Sequence, residues 1–363
     1  GEIRTAERIA TRLRALGLEV RTGVGGHGVV AILRGARTGP LVAFRADMDA
    51  VPSATDDPVE FRSVVPGIRH ICGHDVHATI GVALAEGFAA MRERLAGSVM
   101  LVFQPAEEAA TGARAMLADG VFRDGTPVAI YAVHTAPLEV GTLGTAPGPL
   151  MPGRDDVRVR ISGNGDLAAI ADSARRIIED AGTVAPSEVF TSTAAEFVHV
   201  GRVGSRSAGP AVREVSATLS IASPRARRAT RDALMQRLKA LRSPDVSVTV
   251  HYDAARIAGV TNDSALVARA NAAIATSLGR DAVRPITRIV PAFSEDFGSF
   301  QAAVPGVMYF LGVSNAKAGT RGMPHAPDYV ADEGAILVGA RAMMAVMLDA
   351  MGSPPGRTPP PVR

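Results

Sequence analysis

Tryptophan is absent from this chain of 363 residues, cysteine occurs once, and aromatic residues make up only 4%. A single cysteine excludes an internal disulfide framework. No window of eighteen uninterrupted apolar residues occurs, so no membrane span is expected. Gly1 opens on a helical pattern without a basic-plus-apolar leader, and a cytoplasmic location is the expectation. Because the first residue is not Met, upstream residues are expected to be missing, and an export signal among them stays open. The net charge is only +3, with one basic cluster, "PRARRATR" (224–231). Alanines at helical spacing make that cluster a solvated helix face, so no nucleic-acid partner is expected. What remains, 47% apolar and 21% charged, suits an ordinary globular chain long enough for two domains.

Residues 5–16 place Ile9, Leu13 and Leu16 on one helical face, and Gly17 ends the run. The runs 40–44, 99–103, 128–133 and 307–311 are apolar and bounded by turn residues, as strands buried on both faces are. Val76, Ile80, Leu84, Phe88, Met91 and Leu95 predict a helix with Asp75 at its N-cap. From about 155 the pattern changes. "DVRVRIS", "AEFVHVGRV", "EVSATLSIA" and "DVSVTVHY" read as strands, and "ADSARRIIEDAG" and "ATRDALMQRLKALR" as helices. Their order is β-α-β-β-α-β, a split sandwich with one open sheet face. The expectation is an α/β protein: a sheet domain covered by helices (1–154 and 260–351), an inserted ferredoxin-like α+β domain (155–259), and a Pro-rich disordered tail (352–363).

"GVGGHG" (23–28) matches a dinucleotide fingerprint only formally, because it leads into the strand-like "VVAIL"; a hairpin turn is expected there. The chemistry-bearing residues lie where strands end. "VMLVF" runs into Glu107 and Glu108, "VAIYAV" into His134, and the loop after "VMYFLG" carries His325. "HICGHDVHATIG" (70–81) adds Cys72 and His74, with His70, Asp75 or His77 as further candidates. Ligands in open α/β sheets collect at the carboxyl ends of strands. One thiol, several imidazoles and two adjacent carboxylates form a metal inventory: zinc suits thiolate and imidazole, manganese suits carboxylate and imidazole. Five or six donors exceed one tetrahedral ion, which points to two divalent ions, with nickel and cobalt as the lesser candidates. Of two neighbouring glutamates one suffices as a ligand, leaving the other to act as general base.

"FRADMDAVP" (44–52), "HICGHDVH" (70–77), "VFQPAEE" (102–108), "VHTAP" (133–137), "SEDFGSF" (294–300) and "MPHAP" (323–327) stand in order. Over nearly the whole chain this resembles the dinuclear-metal amidohydrolase/carboxypeptidase family, in its aminoacylase-like branch of hippurate, indole-acetyl-amino-acid and N-acyl-amino-acid hydrolases. The resemblance implies metal ligands at Cys72, His74, Glu108, His134 and His325, and a general base at Glu107. It also implies supporting or helix-capping roles for Asp47, Asp49, Asp75 and His77, a catalytic role for the α/β sheet domain, and an insert that is a ferredoxin-like α+β lid through which a homodimer forms. The expected function is hydrolysis of the amide bond of an N-acyl amino acid or related small amide. The family's lid carries "GGHAA", an Asn and an Arg; here "GNGDLAA" (163–169) puts Leu167 in place of the histidine, and 209–224 lacks the other patterns. His199, Arg202, Arg206 and Arg213 are the candidate replacements. Two rival readings remain: a non-catalytic homologue that binds a ligand or partner, and a cysteine hydrolase using Cys72 with His74 or His77.

Overall fold

The structure, a computed structural model, describes residues 1–352. The expected tail, 352–363, thus falls, beyond Gly352, outside the described residues. The chain divides into two compact units, the first Gly1–Gly148, Asn262–Pro285 and the segment from Phe300 onward, the second Pro149–Thr261 and Ile286–Ser299. The insert expected from sequence spans 155–259.

The first unit is an eight-stranded sheet in the order 19–24, 28–34, 96–104, 37–47, 129–139, 306–314, 143–145, 283–285. The strands Arg37–Asp47, Ala96–Gln104, Ala129–Glu139 and Gly306–Ser314 run parallel. Their apolar runs are buried almost without interruption, because helices cover the sheet. His74–Ala90 and Gly334–Met351 both lie against Arg37–Asp47. Gly334–Met351 is apolar and long enough to cross a bilayer, yet Ala335, Ala342, Met343, Val346 and Met347 are buried in the core of the unit. The glycine-rich stretch 23–28 is a hairpin turn joining antiparallel strands, as expected.

Three local expectations are corrected. The helix beginning at His74 is capped by the backbone of Gly73 (φ +80°), not by Asp75, which sits exposed in the first turn. The helix also stops at Ala90; Leu95 is buried from beyond the 3-10 turn Arg92–Arg94, so its apolar spacing overshot the helix. His134 lies within a strand rather than past its end, because Gly306–Ser314 goes on pairing as far as Glu139 and sets His134 opposite Phe310.

In the second unit Gly153–Gly163 pairs antiparallel with both Val212–Ile221 and Val246–Ile257, and Val198–Val200 extends the sheet. The helices Leu167–Glu179 and Pro224–Lys239 share a core with this sheet through Val159, Ile161, Ala174, Ile178, Leu234 and Leu238. Alternate residues Arg158, Arg160, Ser216 and His251 are exposed. The strand expected over 195–203 is confined to Val198–Val200, with Gly201 following it, and Gly204–Gly209 forms a further strand on Val212–Ile221. Within the basic cluster, Arg227 is not a free solvated charge: its Nε lies 2.8 Å from the fully buried Asp155 carboxylate.

Candidate metal centre

Four elements of the first unit deliver the donors. Arg37–Asp47 ends at Asp47, with Asp49 two residues on. Ala96–Gln104 ends three residues before Glu107. Ala129–Glu139 carries His134, and the N-terminus of the helix His74–Ala90 follows directly on Cys72 and Gly73. His325 comes from a loop, with φ +64°. Its backbone N–H donates to Ile71 O at 2.7 Å, which ties that loop to the segment leading into Cys72.

The donor atoms of Cys72, His74 and His134 lie within 4.8 Å of one another, as do those of Cys72, Glu108 and His325. Cys72 belongs to both groups. Its Sγ is 3.5 Å from His134 Nε2, and Glu108 Oε1 is 3.1 Å from His325 Nε2. His74 Nε2 lies 3.8 Å from Glu108 Oε1 and 3.9 Å from Glu107 Oε2. All five candidate ligands and the candidate base are therefore brought together, with Glu107 outside the group that contains His325.

The surroundings orient these donors. Asp49 bonds His74 Nδ1 at 3.2 Å and accepts the Glu108 N–H at 3.0 Å. His134 Nδ1 donates to Thr135 O at 2.8 Å, which turns Nε2 toward the thiol. His77 Nδ1 donates to Asp47 at 2.6 Å while its Nε2 accepts the Thr135 N–H at 2.8 Å. Burial, reinforced by His134 and His74, pulls His77 down to about 4 against the pull of Asp47, so the ring is neutral and both nitrogens are in use. His77 supports the site and cannot ligate without breaking that pair of bonds. Asp47 also takes Arg45 Nη1 at 2.7 Å; burial opposes its charge, but Arg45, His74 and His77 outweigh it and hold the carboxyl well below its usual range. His70 gives its carbonyl to the Gly73 N–H, and its imidazole joins none of the donor groups. Asp75 faces away.

Sequence reasoning missed Thr135, whose hydroxyl donates to Cys72 O at 2.6 Å, and Tyr329, whose buried hydroxyl stands over Gly73. Arg45 had left a signal: one arginine inside the apolar run "PLVAFRA", and it is fully buried.

Do these residues fit metal ions? His74 Nε2 is buried without a hydrogen-bond partner, its nearest carboxylate oxygens standing 3.7, 3.8 and 3.9 Å away on Asp47, Glu108 and Glu107, and a buried polar atom left unpaired costs about 1–3 kcal/mol. Burial disfavours charge on His74, yet Asp47, Asp49 and Glu108 lift it to about 9. The cluster demands positive charge, and a divalent cation binding there would displace that proton. The donor set of thiol, imidazole and carboxylate suits zinc or manganese. Cys72 and His134 also have the outline of a nucleophile and its base. However, burial first, then Glu108, Glu107 and Asp47, push the thiol well above its usual range, the opposite of what an activated cysteine needs.

Within the second unit, Leu167 opens the helix Leu167–Glu179 and is buried, while Asp166 caps it by accepting the Ala169 N–H at 3.0 Å. Of the four candidate replacements there, Arg206 pairs with Glu214, and Arg213 donates to Ser207 and to Val212 O. His199 lies opposite Ser220, its Nδ1 buried and unpartnered. Arg202 borders an open polar groove with Arg158, His251 and Asp253.

Comparison with known proteins places these observations. The chain is 30% identical over 333 residues to N-acetylcysteine deacetylase of Bacillus subtilis (strain 168), covering 88% of this chain and 85% of that one. It is 30% identical over 363 residues to IAA-amino acid hydrolase ILR1-like 6 of Arabidopsis thaliana, covering 95% and 75%. Among solved structures, the YXEP protein of Bacillus subtilis, described as a dinuclear metal binding peptidase of the M20 family, matches with a TM-score of 0.78 and 26% identity, over 96% of this chain and 92% of that one. A putative aminohydrolase from Staphylococcus aureus shares the fold, with a TM-score of 0.83 at 23% identity and coverages of 96% and 92%. The profile of peptidase family M20/M25/M40 matches residues 43–349, and the chain belongs to that family.

Proposed function

We propose that this chain is a metal-dependent hydrolase that cleaves the amide bond of an N-acyl amino acid or related small amide. Two divalent ions, zinc or manganese, are held by Cys72, His74, Glu108, His134 and His325. The observation that carries this reading is the pair of three-donor groups sharing Cys72, with Glu107 beside them and outside the second. The names of similar proteins point the same way: N-acetylcysteine deacetylase, IAA-amino acid hydrolase and N-acetyldiaminopimelate deacetylase.

Bound ions would polarise the scissile carbonyl and make water acidic enough to be deprotonated near neutral pH. The chain's own part is the proton. Glu107 takes it from the attacking water and passes it to the amide nitrogen as the C–N bond breaks, giving a carboxylic acid and an amine. Asp49 and Thr135 hold His74 and His134 in the donor tautomers throughout. The second unit acts as the lid and as the surface of a homodimer.

Chelation is the direct test. Activity is expected to vanish on removal of metal and return with zinc or manganese, at two ions per chain. Full activity in excess chelator would sink the metal reading and favour Cys72 as nucleophile.

With Leu167 standing where the resemblance expects histidine, the lid recognises its substrate through other groups. Losing a carbonyl-polarising donor costs about 3 kcal/mol on a substrate that depends on it. In a panel of N-acyl amino acids, the hippurate-type member is therefore expected not to be the fastest. Its turning over fastest by kcat/KM would refute this atypical recognition.

A further inference from the structure

We propose that Arg69 is a positioning residue for the metal centre: its buried guanidinium clamps the loop that carries His325 and so fixes that ligand against Cys72 and Glu108. This rests on the metal reading above.

Arg69 ends the short strand Ile68–Arg69, three residues before Cys72, and is 3% exposed. Burying a guanidinium costs several kcal/mol unless the site returns it in bonds. Here Nη1 donates to Thr55 Oγ1 at 2.6 Å and to Pro327 O at 3.0 Å. Nη2 reaches Asp57 at 3.4 Å and Tyr329 O at 3.5 Å. Two of the four partners are backbone carbonyls two and four residues beyond His325; the others belong to the segment after Val51–Pro52. No step of the proposed reaction uses this charge.

His325 needs such a clamp more than Cys72, His74 or His134 does. His134 lies in a strand and His74 opens a helix that Cys72 precedes by two residues, all three buried. The His325 side chain is 54% exposed, and its backbone holds φ +64°, a left-handed conformation unfavourable to a residue with a Cβ. Such a residue persists only where its surroundings over-determine it. Among the ties that do so, two lead to the segment before Cys72: the His325 N–H on Ile71 O, and Arg69 on Pro327 and Tyr329. The spacing between Cys72 and His325, which share a donor group with Glu108, is thereby set by one stretch of chain. The group of Cys72, His74 and His134 contains no donor from the clamped loop.

The test is titration of metal-stripped protein with Zn2+, followed by calorimetry. Wild type is expected to take up two ions in two steps. In Arg69→Met one step is expected to weaken at least about tenfold, the scale of losses from outer supports of metal ligands, with the other within twofold of wild type. Arg69→Lys, which keeps the charge but loses the fork, is expected to fall between. Arg69→Met with both affinities at wild-type values, or with both reduced together, overturns the clamp. Should Arg69→Met not fold, Arg69→Lys is judged by the same two criteria. A wild type that took up fewer than two ions would overturn the metal reading and this inference with it. Two ions in wild type and unchanged affinities in Arg69→Met would overturn the Arg69 assignment alone.

Discussion

Glu107→Gln is expected to lower kcat/KM about a thousandfold while both ions stay bound. General-base catalysis contributes about 10^2 to 10^4 in rate, and a thousandfold corresponds to about 4 kcal/mol of barrier. The amide of glutamine keeps the volume and can still orient a water, but it cannot accept and return the proton. Glu107 is buried and lies 3.9 Å from His74 Nε2, near enough to serve as a donor itself. Metal content is therefore the reading that separates the two neighbours. Glu108→Gln removes the carboxylate shared with Cys72 and His325 and is expected to cost metal as well as rate. If Glu107→Gln lost an ion and Glu108→Gln kept both, the two roles would have to be exchanged. If both variants turned over like wild type, the hydrolytic mechanism would fall.

Gly73→Ala should cost the site its metal without touching a ligand. At φ +80° the left-handed conformation alone penalises an alanine by about 1–2 kcal/mol. A Cβ built there would stand 2.3 Å from Tyr329 Oη and 2.6 Å from Thr135 Oγ1 and Cγ2. Neither neighbour can retreat easily, since Tyr329 is 5% and Thr135 1% exposed, and overpacking of that kind costs about 1–3 kcal/mol. The expected total loss of stability is about 2–5 kcal/mol, measured by denaturant unfolding. Gly73 joins Cys72 to His74, so the same displacement should weaken metal affinity at least about tenfold. Adding Tyr329→Phe removes one colliding atom and should recover part of the loss, a non-additivity expected of residues in contact. Wild-type metal affinity in Gly73→Ala would contradict this account.

How far the sequence disclosed this arrangement depends on the kind of group concerned. Cys72, His134 and His325 stand out because thiol and imidazole are scarce in the chain, and the strand that delivers His134 is marked by an unbroken apolar run. Periodicity misled at Leu95, where a residue beyond the helix end keeps the helical spacing and is buried all the same. Asp75 looked like the cap because side-chain caps leave a residue signature; the observed cap is backbone geometry at Gly73. Thr135 supports the site through its N–H, its carbonyl and a hydroxyl aimed at another carbonyl; the hydroxyl has a letter in the sequence, but its target and the two backbone groups do not. Arg69 is hidden for a related reason, as its partners include carbonyls 258 and 260 positions away. Side-chain chemistry was legible where it was rare, while backbone chemistry had to be seen folded.

That one sulfur serves both donor groups bears on which ions a living cell could load into this chain. Thiolate binds hard cations such as magnesium and calcium poorly, since these prefer oxygen. The abundant alkaline-earth pool is thus a weak competitor for the site, whatever its concentration advantage. Among the softer divalent metals, affinity climbs toward copper rather than toward any ion useful for hydrolysis, so occupancy follows which of them is supplied. On the proposed metal reading the working rate would follow transition-metal supply, and mis-metallation, rather than emptiness, would be the expected failure.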